Sequence, residues 1–474
     1  MKNVLLFGRV GRETLPVSLR RSFQVLTLRL SPEASGGDYN TDARGLQRML
    51  GQRWNPRAFD LLNVVCALRA ADRFYPSGGR FSMERNMPLA VGVTESERWQ
   101  SLSEPLAQAV RALSGDTLHF HPVQLPKTPA SALPLDGSGA RVLPLGGRSP
   151  DCVCLYSGGA DSFVGAAYLL AYGRRPALVS HSVGPVSGLQ ARLLEDLRER
   201  FPALDPAWLV QIRAYPNTTR MKREAGTRAL YWRSRDDLQR LRSIFFFSLA
   251  AIVAQALGVN EVFMCENGLI GAAIVFSPRD DNPSTTRPAE PHYLRAVEHF
   301  LRRALDFPEL RIRNPFQYMT KGEVLAYADR LGLRRSLYRT VSCWRSGNQG
   351  LKNCGQCVPC LFRQLAFSEA GLPDPPDAYG YRHPIPRPNW RDWNSRELER
   401  LEDIREYCRK AVEGGIRWLI ENELAVVDAI DVTGGAVQRT SKQNTDDEQR
   451  DELAPRKMAQ VILRFARATL KRLP

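Results

Sequence analysis

The stretch Cys152–Leu170, CVCLYSGGADSFVGAAYLL, decides how the chain reads. A short apolar run with the look of a buried strand breaks into Ser157-Gly158-Gly159, and an apolar helical run starts at once. Glycine reaches positive φ and lets the backbone close on a ligand. The helix that follows offers unpaired N–H groups and the positive end of its dipole. Together these make an anion cradle suited to phosphate oxygens. Ser157 and Ser162 can add hydroxyl donors, and Asp161, a carboxylate beside such a site, suits a Mg2+ contact. A tight turn whose glycines serve packing alone is the bland alternative, but it leaves the complete S-G-G-x-D-S string unexplained. The string is neither a Walker loop nor a dinucleotide G-x-G-x-x-G.

Outward from this loop the pattern is regular. Strand-like runs at 152–156, 177–183, 207–214, 260–265 and 309–314 alternate with helical stretches at 162–172, 187–200, 238–257, 291–305 and 320–331. Strands separated by helix-length segments predict a doubly wound parallel sheet, with its loops at the strands' C-terminal edge. Residues 1–145 mix strand-like FQVLTLRL and MPLAVGV with helical AFDLLNVVCALRAADRFY and ESERWQSLSEPLAQAVRALS, an α+β domain expected to dock a partner or substrate. Asp72, Arg73 and Tyr75, at the end of its long helix, read as a helix terminus with an ordinary ion pair. A Pro/Gly/Ser-rich linker then leads to a domain over 150–375. Beyond it, 376–474 reads as a helical extension: a Pro-rich stretch, a charged helix over Ser395–Glu423, a polar segment 434–452 expected to be disordered, and a terminal basic amphipathic helix.

Composition sets the outer limits. A chain of 474 residues is too long for one core, and its 43% hydrophobic and 24% charged content is that of a globular protein. No apolar run reaches the roughly 18–20 residues that span a bilayer. The first apolar stretch, in MKNVLLFGRVGRE, is too short for a signal peptide, so a cytoplasmic protein is expected. The net charge of +16 is spread along the whole chain, which leaves a nucleic-acid partner open without favouring it.

Nine cysteines in so long a chain do not make a disulfide scaffold. Cys66, Cys152, Cys154, Cys265 and Cys408 sit in apolar or helical contexts and read as inert core residues. Cys343, Cys354, Cys357 and Cys360 instead form a C-x10-C-x2-C-x2-C array. Such spacing brings four thiolates to one cation and leaves no open position, which implies a structural Zn2+ site, with an iron–sulfur cluster as the alternative.

SGGADS resembles the PP-loop of the ATP pyrophosphatases, which split ATP between the α and β phosphates and adenylate an acceptor oxygen. SCWRSGNQGLKNCGQCVPCLFRQLAF is similar to the ending of the 7-cyano-7-deazaguanine synthases (QueC). RLRSIFFFSLAAIVAQALG resembles that family's Arg-Asn-apolar helix, with Arg242 on the Arg and Ser243 in place of the Asn. NPFQYMTKGEVL resembles its Pro-x-x-x-x-T-K segment, with Lys321 on the Lys. The resemblance covers roughly residues 150–370. It implies ATP-dependent adenylation of a 7-deazaguanine carboxylate followed by attack of an amine. It assigns Ser157, Gly158, Gly159, Asp161 and Ser162 to ATP, and Lys321, Arg242 and one of Arg233 or Arg235 to charge on the phosphates.

The departures point further. The family's Tyr-Pro-Asp-Cys-Arg stretch is absent, and CENGLIGAAIVFSPRDDNPSTTRPAEPHYL stands in its place. Glu266, Asn267 and Gly268, with Thr286 and Arg287 in the following loop, become the candidates for substrate contact. The longer layout resembles the QueC-like proteins of anti-phage operons, of the QatC type or associated with CBASS. For those the resemblance implies an amine that belongs to a partner protein encoded nearby. Two other readings remain open: a synthase using ammonia, and a PP-loop enzyme that modifies tRNA.

Overall fold

The computed structural model describes residues 2–7, 15, 17–31, 37–75, 85–125, 149–181, 186–217, 240–272, 287–343, 351–355, 357–380, 395–421 and 445–471. They group into two compact units. The first comprises 1–158, 165–264 and 284–313; the second comprises 159–164, 265–283 and 314–474.

In the first unit, β1 (Lys2–Phe7), α1 (Val17–Ser22), β2 (Phe23–Leu28), β3 (Leu30–Ser31) and β4 (Tyr39–Thr41) lead to α2 (Ala43–Leu50) and the long α3 (Arg57–Phe74). β5 (Asn86–Val93), α4 (Ser96–Ser101), α5 (Ser103–Ser114) and β6 (Thr117–Gln124) follow. Strands β2-β1-β5-β6 form a sheet in that order, and every pairing is parallel. Helix and strand mix here as expected. The linker expected before residue 150 falls almost wholly on 126–148, outside the described residues.

The alternating segments then appear as β7 (Cys152–Leu155), α6 (Ala160–Ala171), β8 (Pro176–His181), α7 (Val186–Arg200), β9 (Leu209–Ile212), β10 (Ala214–Pro216), α8 (Arg242–Leu257), β11 (Glu261–Phe263), α9 (Gly268–Gly271), α10 (Pro291–Leu305) and β12 (Arg311–Arg313). Strands β12-β11-β7-β8-β9 make one parallel sheet, the doubly wound class expected. Its central strand reads as an unbroken apolar run because both faces are covered, and Cys152, Val153 and Cys154 are fully buried. The order reverses at β7, so the carboxyl ends of β7 and β11 define the crevice where such sheets bind ligands.

The run expected as one strand over 207–214 divides at Arg213. Leu209–Ile212 stays in the five-stranded sheet, while Ala214–Pro216 pairs antiparallel with β4. Helix α8 is buried almost all round, because it packs on β7, β8 and β11 and also on α3. These contacts place the N-terminal elements and the five-stranded sheet in one unit, a grouping that follows from shared burial and not from the linker.

Asp72, at the end of α3, pairs with Arg85 (2.8 Å), whose guanidinium also grips Asp116 (2.5 and 3.0 Å). The backbone N–H of Leu241 donates to the other oxygen of Asp72 (3.0 Å), so the cluster ties the start of α8 to the end of α3. Tyr75 donates to the Pro88 carbonyl (2.5 Å). The structural reading of Asp72 holds, in a cluster more deeply buried than an ordinary helix end.

The second unit contains α9, α11 (Lys321–Arg330), α12 (Arg334–Arg339), α13 (Val358–Glu369), α14 (Ser395–Leu419) and α15 (Thr445–Leu470). Helix α14 breaks at Gly415, whose φ of 65° belongs to the left-handed region. The segment 434–452, expected to be disordered, is helical from Thr445; 434–444 lie outside the described residues. Met458, Val461, Ile462 and Phe465 are buried in a core with Leu269, Leu361 and Cys408. The apolar face of the terminal helix is spent on the protein's own packing.

Candidate functional site

The loop after β7 assigns separate tasks to its two glycines. Gly158 takes φ +86°, a backbone conformation that residues with a Cβ rarely adopt, and it packs beside Gln190. Gly159 is not among the positive-φ residues; its carbonyl accepts from the Phe163 N–H (3.0 Å) and the Ser162 hydroxyl (3.1 Å) as α6 begins. Ser157 is exposed, whereas Ser162 is buried and turned back onto the loop.

Asp161, in the first turn of α6, is the pivot of the second unit's polar cluster. The Lys321 ammonium pairs with its Oδ2, and Asn267 Nδ2 donates to the same oxygen (3.5 Å). Its Oδ1 is buried with no hydrogen-bond partner among the described residues. A buried carboxylate oxygen left open in this way fits a cation contact, so Asp161 would be the residue to hold Mg2+. Both Asp161 and Lys321 are below one-tenth exposed, and a buried pair of this kind is weak evidence for stability and better evidence for a site.

Lys321 opens α11 behind a complete capping box. Thr320 Oγ1 accepts from the Glu323 N–H (3.1 Å), and Glu323 Oε2 accepts from the Thr320 N–H (2.8 Å). Sequence reading placed Lys321 but gave no role to Thr320, although T-K-G-E carries the signal of that box. Arg464 of α15 reaches the same helix start, bonding Glu323 (2.8 Å) and the Tyr318 carbonyl (2.9 Å).

The three residues read as a substrate loop have distinct local roles. Asn267 caps α9 through the Leu269 N–H (3.2 Å) while facing Asp161. Gly268 donates to the Met319 carbonyl (2.8 Å), and a Cβ there would collide with the Gln317 carbonyl. Glu266 is held by its backbone, exchanging bonds with the Asn314 side chain (2.9 and 3.3 Å). Arg287 is fixed by its N–H to the Leu113 carbonyl (3.0 Å), and Thr286 lies outside the described residues, as do Arg233 and Arg235. The structure thus brings Asp161, Asn267 and Lys321 together. Arg242 is the exposed first residue of α8, with its guanidinium over the Phe246 ring (5.5 Å).

Two further residues escaped sequence reading. Gln190 of α7, buried, donates to the Ser157 carbonyl (3.2 Å) and accepts from Gln211 (2.9 Å), bracing the loop from below. His181 ends β8 against Arg69 (3.3 Å) and the Ala214 carbonyl (2.7 Å). Burial first, and the Arg69 charge second, push its pKa down to about 3. A neutral histidine inside an apolar strand gives no sequence signal.

The four array cysteines converge, with all sulfurs within 4.8 Å of one another. Cys343–Cys357, Cys354–Cys360 and Cys357–Cys360 separations are 3.7, 3.9 and 3.4 Å. Four thiolates about 2.3 Å from one zinc ion stand roughly 3.8 Å apart, so the set fits Zn2+. Thiolates bound to the separate irons of a cluster would spread wider. Backbone N–H groups of Cys354 and Cys357 donate to Cys343 and Cys354 sulfurs (3.3 Å each), and Tyr379 packs alongside. The remaining five cysteines are all buried; burial pushes Cys66 and Cys408 up to about 12, far from a reactive thiolate.

Among the described residues no helix is long and apolar enough to cross a membrane. Residues 233–371 match the family described as "Queuosine biosynthesis protein QueC". A 7-cyano-7-deazaguanine synthase of Nitrosococcus oceani is 32% identical over 138 residues, 28% of this chain and 55% of that protein. One from Ectopseudomonas mendocina is 32% identical over 28% of this chain and 54% of its own length. One from Thermoplasma acidophilum is 27% identical over 237 residues, 47% of this chain and 90% of that protein. The match thus spans about half the length of the first relatives named. Over this central part, the chain is similar to the QueC family and to 7-cyano-7-deazaguanine synthases.

Proposed function

We propose that the protein activates a 7-deazaguanine-type carboxylate with ATP and passes the acyl group to an amine. The carboxylate oxygen attacks the α-phosphorus, pyrophosphate leaves, and the amine then displaces AMP to form an amide. The observation that carries this reading is the meeting of Lys321 and Asn267 on Asp161, two residues after Gly159 in the glycine loop. The loop and the N-terminal end of α6 receive phosphate oxygens. Lys321, already paired with Asp161, neutralises charge on the departing pyrophosphate, and Arg242 is assigned to the same task. Mg2+ held at Asp161 would offset phosphate charge. Glu266, Asn267, Gly268, Thr286 and Arg287 are assigned to the carboxylate substrate.

For the acceptor we favour an amine of a partner protein in an anti-phage operon, which makes the enzyme a carbon–nitrogen ligase of the cytoplasm. This rests on the added residues on both sides of the central region and on the substituted 265–294 loop. Ammonia as the acceptor, giving the nitrile after a second round, is the reading that the relatives' names favour. A tRNA thiolase is disfavoured because Cys265, two residues beyond β11, is buried.

The test is incubation with ATP and 7-carboxy-7-deazaguanine, adding ammonia or the products of neighbouring genes, with release of pyrophosphate and intact-protein mass measured. Pyrophosphate release with a mass gain on a neighbour supports the protein acceptor. A small-molecule amide or nitrile supports ammonia. Absence of pyrophosphate release in every arm ends the proposal.

A further inference from the structure

Lys321 lies between two residues that are held by the same carboxylate. Thr320 Oγ1 donates to Glu369 Oε1 (2.6 Å), and the backbone N–H of Gly322 also bonds the Glu369 side chain. A Cβ at Gly322 would collide with that side chain, so α11 begins in close contact with it and only glycine fits. Glu369 is the last residue of α13, the helix that starts immediately after Cys357 and contains Cys360. It is partly exposed, so its carboxylate is not fixed by enclosure alone; the two bonds to the start of α11 hold it in place.

We infer that Glu369 is a positioning residue for Lys321, fixing the start of α11 so that the ammonium is delivered to the face of Asp161. The inference rests on the proposed role of Lys321 at the phosphates. A lysine has four rotatable bonds and loses much freedom when its charge is held at one point. Anchoring the backbone on both sides of it removes the part of that freedom that the side chain's own contacts do not control. The capping box already satisfies the helix end from within, through Thr320 and Glu323. Glu369 adds an attachment from a second helix, and this sets where the helix start sits instead of merely whether it forms. Through α13 the same attachment links the four-cysteine centre to the lysine, and α13 packs directly along α11.

The experiment is a double-mutant cycle read by ATP affinity, using isothermal titration of the full chain with Mg·ATP. Lys321→Ala weakens binding, and Glu369→Ala in the native background weakens it roughly tenfold. In the Lys321→Ala background Glu369→Ala changes affinity by less than about twofold, because the group it positions is gone. If Glu369→Ala fails to fold, Glu369→Gln replaces it. That change is near-isosteric and leaves Thr320 and its capping box intact, while one of the two acceptor oxygens is lost. An equal loss from Glu369→Ala in both backgrounds, or no loss in either, overturns the inference while leaving the role of Lys321 intact. Unchanged affinity and turnover in Lys321→Ala alone overturns the phosphate assignment, and the positioning role with it.

Discussion

Asp116 and Asp161 are both buried carboxylates that face a cation, and they differ in what is left over. Both oxygens of Asp116 are taken: Oδ1 by the backbone and Nε of Arg85 (3.0 Å each), Oδ2 by the Arg85 guanidinium (2.5 Å) and the Ser114 hydroxyl (2.7 Å). Asp161 spends only Oδ2, on Lys321 and Asn267, and its Oδ1 faces no donor among the described residues. A saturated cluster has nothing to offer a ligand and holds elements together. An open oxygen costs free energy unless something arrives to satisfy it. Burial and charge alone therefore do not distinguish the two carboxylates; the unused valence does.

That distinction can be broken at either end. Asp116→Asn is expected to cost about 1.5–3 kcal/mol in urea unfolding, since Arg85 keeps Asp72 but loses one of its two carboxylate partners, while ATP affinity of the folded fraction stays unchanged. Asp161→Asn should act on turnover. Pyrophosphate release falls by about 10²–10³-fold, and some stability is lost as well, because Lys321 is left buried against a neutral amide. Loss of folding in Asp161→Asn with retained turnover would place both carboxylates in one structural class.

His181 extends the comparison to a buried group that avoids charge altogether. Its native pKa, about 3, lies below the unfolded value near 6.5, so below pH 6.5 the unfolded chain takes up a proton that the native state refuses. Stability is therefore lost as pH falls from about 6.5 toward 3, by up to about 1.4 kcal/mol per pH unit, and His181→Gln flattens that limb in unfolding titrations. The smallest effect belongs to Arg464, whose pair with Glu323 is exposed. Arg464→Ala should change unfolding free energy by less than about 1 kcal/mol. A larger loss would make the terminal helix a principal support of the α11 start.

Much of the central fold was legible because its signals are local. Apolar strand and helix periods marked β7, β8, α8 and α10 to within a few residues. The tight spacing of Cys354, Cys357 and Cys360 announced a metal site within one loop. The division at Arg213 was not legible, because residues 209–216 are uniformly strand-like and only their neighbours decide which sheet each half joins. Thr445–Arg450 looked disordered because they are polar, yet they continue a helix whose apolar face is buried farther along. Lys321 was placed by resemblance, but Glu369 was invisible, since an acidic residue at a helix end is normally a solvated one.

The elements, the glycine loop and the thiolate array are written in the order of the residues, because each depends on neighbours within about one turn or one strand. The sharing of one cluster by Asp161, Asn267 and Lys321, up to 160 residues apart, comes from folding, and so does the oxygen that Asp161 keeps in reserve. Side-chain satisfaction is a property of the assembled neighbourhood, and no local pattern along the chain encodes which of two buried carboxylates will be left open.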